Sequence, residues 1–154
     1  MEFQSLHFLL SFSILLLSSF HAQAKVNFRY CDKKADYAVK VSGIQISPNP
    51  VVRGDPATFK ISATSGQAIH GGQVVIRVSF FGVPVHTEKI DLCKEVSCPV
   101  ANGSFLLSHS QKLPAITPPG SYALEMTLKD DKDELLTCIK FNFKIVFGSL
   151  VSDV

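Results

Sequence analysis

The stretch "SYALEMTLKDDKDELLTCIKFNFKIVF", residues 121–147, decides the fold. Its first run sets Tyr122, Leu124, Met126 and Leu128 on one side, against Ala123, Glu125, Thr127 and Lys129. Its second sets Ile139, Phe141, Phe143, Ile145 and Phe147 against Lys140, Asn142 and Lys144. A two-residue period rich in aromatic and β-branched side chains marks strands with one buried and one wet face. Between the runs, "KDDKDE" (129–134) is a charged turn cluster, so the pair reads as a hairpin.

The same period recurs upstream. "ATFKISAT" places Ala57, Phe59, Ile61 and Ala63 together, and "QVVIRVSFF" places Val74, Ile76, Val78 and Phe80 together. "VKVSGIQI" changes phase at Gly43: Val39 and Val41 share one parity, Ile44 and Ile46 the other, which predicts a bulge. Turn signals at 47–50 ("SPNP"), 53–56 ("RGDP"), 70–72 ("HGG"), 81–84 ("FGVP") and 117–120 ("TPPG") separate the runs. There is no amphipathic helix of ten or more residues, no internal repeat and no interdomain linker. The spacing gives about seven strands, an all-β sandwich.

The chain opens "MEFQSLHFLLSFSILLLSSFHAQAKVNF". Its apolar run, Phe8 to Leu17, is shorter than the roughly 20 residues needed to span a bilayer. It ends in Ala22-Gln23-Ala24, the small-x-small pattern of a cleavage site. Residues 1–24 therefore read as a secretory signal, although its start carries no Lys or Arg, and residues 25–154 as a single domain. Of 15 Lys and Arg and 13 Asp and Glu, the signal holds only Glu2, so the mature balance is +3. Without a basic run, that gives little support to nucleic-acid binding.

All four cysteines, Cys31, Cys93, Cys98 and Cys138, lie in the mature part. An even count in an oxidising compartment predicts two disulfides, with three possible connectivities. Cys93 and Cys98 can join locally across a tight loop, which leaves Cys31 and Cys138 to tie the ends of the domain. A lone C-x4-C with no second cluster is weak for zinc, and a redox pair wants C-x-x-C.

No catalytic motif stands out: there is no G-x-S-x-G, no H-E-x-x-H and no phosphate-binding glycine loop. The mature chain has three histidines, His70, His86 and His109, scattered singly and read as solvated surface residues. The acidic group Asp130, Asp131, Asp133 and Glu134 lacks EF-hand spacing and reads as a hairpin tip. "NGS" (102–104) makes Asn102 a glycan acceptor. No metal and no cofactor is expected. Alternation alone favours a filled core; the competing reading is two sheets splayed around a ligand.

Four stretches in order shift that balance: "FGVPV" (81–85), "CKEVSCPV" (93–100), "KLP" (112–114) and "LKDDKDELLTCIKFNFKI" (128–145). Together they resemble the ML lipid-recognition family, which includes a Niemann–Pick type C sterol carrier and phosphatidylglycerol/phosphatidylinositol transfer proteins. The resemblance spans nearly the whole mature chain. It implies an immunoglobulin-like sandwich of antiparallel strands in two sheets enclosing one lipid, and the pairings Cys31–Cys138 and Cys93–Cys98. The sterol carrier's portal, carried over, falls on Val83, Pro84, Val85 and Ala115. The chain departs from the sterol carrier in three places. Thr87 stands where that protein has an aromatic, "AITPPG" is a shorter loop without one, and "NPVV" lacks a third disulfide. A phospholipid therefore fits at least as well as a sterol.

With that fold, inward parity nominates Phe59, Ile61, Ile76, Val78, Phe80, Phe105, Leu107, Leu124, Met126, Phe141, Phe143 and Ile145 as cavity wall. Val83, Pro84 and Val85 would touch the bilayer, Lys89 would meet anionic headgroups, and His86 would add charge there at acid pH. The expected protein is a monomeric, non-catalytic carrier of a phospholipid or sterol, outside the cell or in a vacuole- or lysosome-like lumen. It makes transient membrane contact and no nucleic-acid contact. The alternative is a secreted module presenting a lipid to a protein receptor.

Overall fold

The computed structural model describes residues 25–148. The proposed signal, residues 1–24, lies outside them. Seven long strands build a sandwich: β2 (Val39–Ser47), β4 (Pro56–Ser65), β5 (Gly72–Phe80), β6 (Val83–Asp91), β7 (Gly103–Lys112), β8 (Gly120–Asp130) and β9 (Leu135–Val146). Two short strands escape the alternation test because they are too brief to show a period: β1 (Phe28–Tyr30) and β3 (Val51–Val52). One four-residue helix, α1 (Leu92–Glu95), joins β6 to β7.

The larger sheet runs β1-β9-β8-β5-β6, with β3 lying parallel to the end of β9. The smaller runs β2-β4-β7. All long strands pair antiparallel. The hairpin expected at 129–134 joins β8 to β9. Its acidic residues hold the turn: the Asp130 carboxylate accepts the N–H groups of Lys132 and Glu134, each at 2.9 Å. The bulge expected at Gly43 is present as a register shift between Val41 and Gly43, which keeps Val39, Val41, Ile44 and Ile46 all buried.

Inward parity fails at two points. Phe147 lies beyond the end of β9 and is exposed, its ring under the Arg53 guanidinium at 4.2 Å. At the start of β9 a register shift between Leu128 and Lys129 turns Leu136 inward and sets Thr137 opposite Leu128, fully buried. The Thr137 hydroxyl has no hydrogen-bond partner among the described residues.

The two ends of the sandwich differ. At one end Val39, Ile69, Val74, Leu92, Leu128 and Leu136 pack without accessible surface to speak of. Here the "CKEVSC" loop closes the sandwich. Asp91 caps α1 by accepting the Cys93 N–H at 2.8 Å, Leu92 plugs the core, and Cys93 bonds Cys98. The Cys31–Cys138 bond fastens β1 to β9 in the same half. Both disulfides are those the family resemblance implies. The other end is walled by aromatic rings and is not filled.

Candidate functional site

The unfilled end holds a cavity of about 460 Å³ between the sheets. That lies within the roughly 300–1,000 Å³ of ordinary ligand pockets. The larger sheet contributes Ile76, Val78 and Phe80 from β5, Tyr122, Leu124 and Met126 from β8, and Phe141, Phe143 and Ile145 from β9. The smaller sheet contributes Phe59 and Ile61 from β4 and Leu107 from β7. All follow from the period of two, since each pairs in register with an inward neighbour: Phe80 with Tyr122, Tyr122 with Phe143, Ile61 with Leu107.

An aromatic row lines the cavity. Phe80 stacks on Tyr122 at 4.6 Å, Tyr122 on Phe143 at 5.7 Å, and Phe143 meets Phe59 edge-on at 5.5 Å. Gly120 makes room for the first of these, because a Cβ there would lie 2.9 Å from the Phe80 ring. The Tyr122 hydroxyl donates to the Pro118 carbonyl at 2.7 Å, pinning the β7–β8 loop over the mouth. Burial pushes the Tyr122 phenol above its ordinary value of 10.0.

Four nominated residues stand off this wall, and each has a geometric reason. Phe105 has inward parity but pairs with Ala63 near the start of β7, so it packs against the filled core instead. Ala115 is exposed and lies beside Gly54, while its neighbours Ile116, Thr117 and Pro118 reach the cavity. Val83 and Pro84 are exposed on the hairpin that follows Phe80; only Val85 of that trio touches the cavity. The rim includes two side chains that parity did not nominate, Phe81 and Ile116, which are 88% and 89% exposed. Phe81 and Gly82 both have positive φ, 49° and 77°. That is the backbone of a type I′ hairpin turn, which favours Asn-Gly and tolerates a bulky first residue poorly.

The cavity also has a polar side. On β6 the inward positions are His86 and Glu88, paired with Val78 and Ile76; on β7 they are His109 and Gln111. β6 and β7 are edge strands of opposite sheets, and these side chains meet across the gap. His109 Nδ1 lies 3.3 Å from Glu95 Oε1, and its Nε2 lies 3.7 Å from Glu88 Oε2. His86 Nε2 lies 3.5 Å from Glu88 Oε2. The His109 side chain is 12% exposed, so the expectation of a solvated surface imidazole is corrected. Its signal was present in "FLLSHSQ", where Leu107, His109 and Gln111 share one parity.

A second cleft, on the β1–β9 edge, is lined by Lys25, Asn27, Arg29, Asn49, Lys140 and Asn142 beside Val26, Phe28 and Phe141. Its polar lining cannot shield hydrocarbon. No group of three metal-ligating side chains occurs among the described residues. Asn102 is exposed, just before β7.

Residues 25–145 match the family model of the ML domain. A Dictyostelium discoideum protein whose name proposes it as a phosphatidylglycerol/phosphatidylinositol transfer protein is 32% identical over 135 residues, 83% of this chain and 93% of that one. The phosphatidylglycerol/phosphatidylinositol transfer protein of Neurospora crassa is 29% identical over 124 residues, 75% of this chain and 70% of that one. The crystal structure of a Niemann-Pick type C2 protein from Japanese carpenter ant superposes with a TM-score of 0.63 at 22% identity, covering 78% of this chain and 99% of that one. Its likeness is one of fold. With its immunoglobulin-like sandwich, its two disulfides and this match over most of its length, the chain belongs to the ML domain family.

Proposed function

We propose that this protein carries one lipid between membranes in the secretory pathway, without chemical reaction. The observation that carries the reading is a cavity walled by rings and aliphatic chains, opening between two exposed apolar tips. Each methylene left in water costs about 0.8 kcal/mol, so a sixteen-carbon chain costs on the order of 12 kcal/mol to desorb unshielded. A protein wall offering comparable contact turns desorption into a nearly balanced exchange. Phe81 and Ile116, with Val83 and Val85 behind them, are the groups that would enter the bilayer. Burying Phe81 or Ile116 is worth about 1.5–3 kcal/mol each. A bulky residue held in a left-handed turn and left exposed fits a contact made only part of the time.

Two disulfides and no free cysteine among the described residues support an oxidising compartment. Relatives named as phosphatidylglycerol/phosphatidylinositol transfer proteins favour a phospholipid over a sterol. The test is to recover the oxidised protein from a secretory host, identify co-purifying lipids by mass spectrometry, and measure transfer between vesicles. Recovery of no lipid, together with no acceleration of transfer, refutes the proposal. Lipid bound but never moved would leave the receptor-presenting module in its place.

A further inference from the structure

We infer that Glu88 selects the lipid: the cavity prefers a headgroup that donates a hydrogen bond, from a hydroxyl or an ammonium, over one that cannot. This deepens the carrier reading and rests on it.

Glu88 is an odd residue for its position. Its register partner Ile76 is buried wall, so the carboxylate projects from the same face into the same cavity. A carboxylate offers about four lone-pair sites. The neighbouring imidazole nitrogens stand 3.5 Å (His86) and 3.7 Å (His109) away, beyond the usual 2.7–3.2 Å of an N–H···O bond. Among the described residues no hydrogen bond reaches the Glu88 side chain. His109 is instead committed through Nδ1 to Glu95. The charged and titratable groups around Glu88 are thus His86 on its own strand, His109 on β7, Glu95 on α1, and Lys112 further along β7. The Glu88 side chain is 34% exposed, so in the open cavity its carboxylate is met by water and by the two distant imidazoles, with no direct protein hydrogen bond, on a wall otherwise built for hydrocarbon.

A lipid headgroup that covers Glu88 displaces that water, and one that offers no donor in exchange leaves the carboxylate unmet and is disfavoured. A glycerol or inositol hydroxyl, or a primary ammonium, would complete it. A trimethylammonium has no N–H to give. Lys112, on the same rim, is placed to offset the phosphate of an anionic lipid.

The experiment uses the full chain secreted and oxidised, stripped of lipid, and offered vesicles of matched acyl chains in two pairs. Phosphatidylglycerol against phosphatidylmethanol differs in hydroxyl donors at equal charge. Phosphatidylethanolamine against phosphatidylcholine differs in ammonium donors at equal charge. Uptake is read by mass spectrometry as a ratio within each pair. The parent should favour the donor by about tenfold or more in at least one pair, since a hydrogen bond to a charged group is at stake. The pair that discriminates names the donor. Glu88→Gln, which keeps a neutral acceptor of the same shape, should retain part of the ratio; Glu88→Leu should bring it near unity. Glu125→Gln, on the outer face beside Lys140 and Arg77, should keep the parent ratio. Flat ratios in the parent, or an unchanged ratio in Glu88→Leu, overturn the inference while leaving the carrier intact. No uptake of any lipid overturns the carrier reading itself.

Discussion

Val78 is half-buried on the cavity wall, between Leu124 and His86 in register. Replacing it with Phe adds four carbons directed at empty space. A dry void costs about 24 cal/mol per Å³. For 460 Å³ that is on the order of 11 kcal/mol, an upper limit because the mouth admits water. The limit is as large as the whole stability of a typical domain, about 5–15 kcal/mol. The stripped protein should therefore gain from any apolar plug. Val78→Phe should stabilise it by about 1–2 kcal/mol, a rise of several degrees in Tm. The same plug displaces about four methylenes of guest, at about 0.8 kcal/mol each. Affinity should then fall by about 3 kcal/mol, roughly 200-fold. The assay pairs thermal unfolding of lipid-free samples with equilibrium binding of a fluorescent acyl lipid. The two effects have opposite sign, so general damage cannot mimic them. If the variant binds as the parent does, or if its stripped form melts lower, the space beside Val78 is not where the guest lies.

Other substitutions probe other parts. Removing the Cys31–Cys138 bond, 107 positions apart, as the double Ala variant should cost about 5 kcal/mol by loop entropy, against about 2 for Cys93–Cys98, five apart; equal losses in denaturant melts would contradict the assignment of weight. Thr137→Val removes a buried hydroxyl without a partner and should raise stability by about 1 kcal/mol; a lower melting temperature would mean the hydroxyl is satisfied. Phe81→Asp with Val83→Asp, both exposed and off the cavity wall, should slow vesicle-to-vesicle transfer severalfold and leave equilibrium lipid binding in detergent near the parent value; an unchanged transfer rate removes this hairpin tip from docking. The folded-state pKa of Tyr122 is raised, so its contribution is complete below the ordinary value of 10.0 and is lost as pH climbs through the higher folded value. Tyr122→Phe should flatten that alkaline fall in stability, and an identical fall would reject the assignment.

Much of the sandwich was legible because alternation is a local rule: a residue's parity depends only on its neighbours two positions away. That is why the cavity residues of β4, β5, β8 and β9 are named from the sequence alone, except Tyr122, which shares the inward parity but is not among the nominated wall residues. Depth along the strand is not local. Phe105 and Leu107 share a parity, yet one faces the filled end and the other the hollow, and only pairing with Ala63 and Ile61 separates them. β6 was unreadable for a different reason. "VPVHTEKI" puts His86 and Glu88 at inward positions, so its pattern looks like a wet strand on both faces. The missed rim residues, Phe81 and Ile116, sit in turns, where no period operates.

Both sulfur bridges fall on the packed half of the molecule, and neither crosses the aromatic opening. The arrangement is that of a clothes-peg, riveted at the spring and free at the jaws. On the carrier reading, a thicker guest would widen the gape by bending strands apart at one extremity, with the topology held fast at the other. Girth could then vary from guest to guest without the two layers coming undone, and discrimination would fall to whatever chemistry lines the lips.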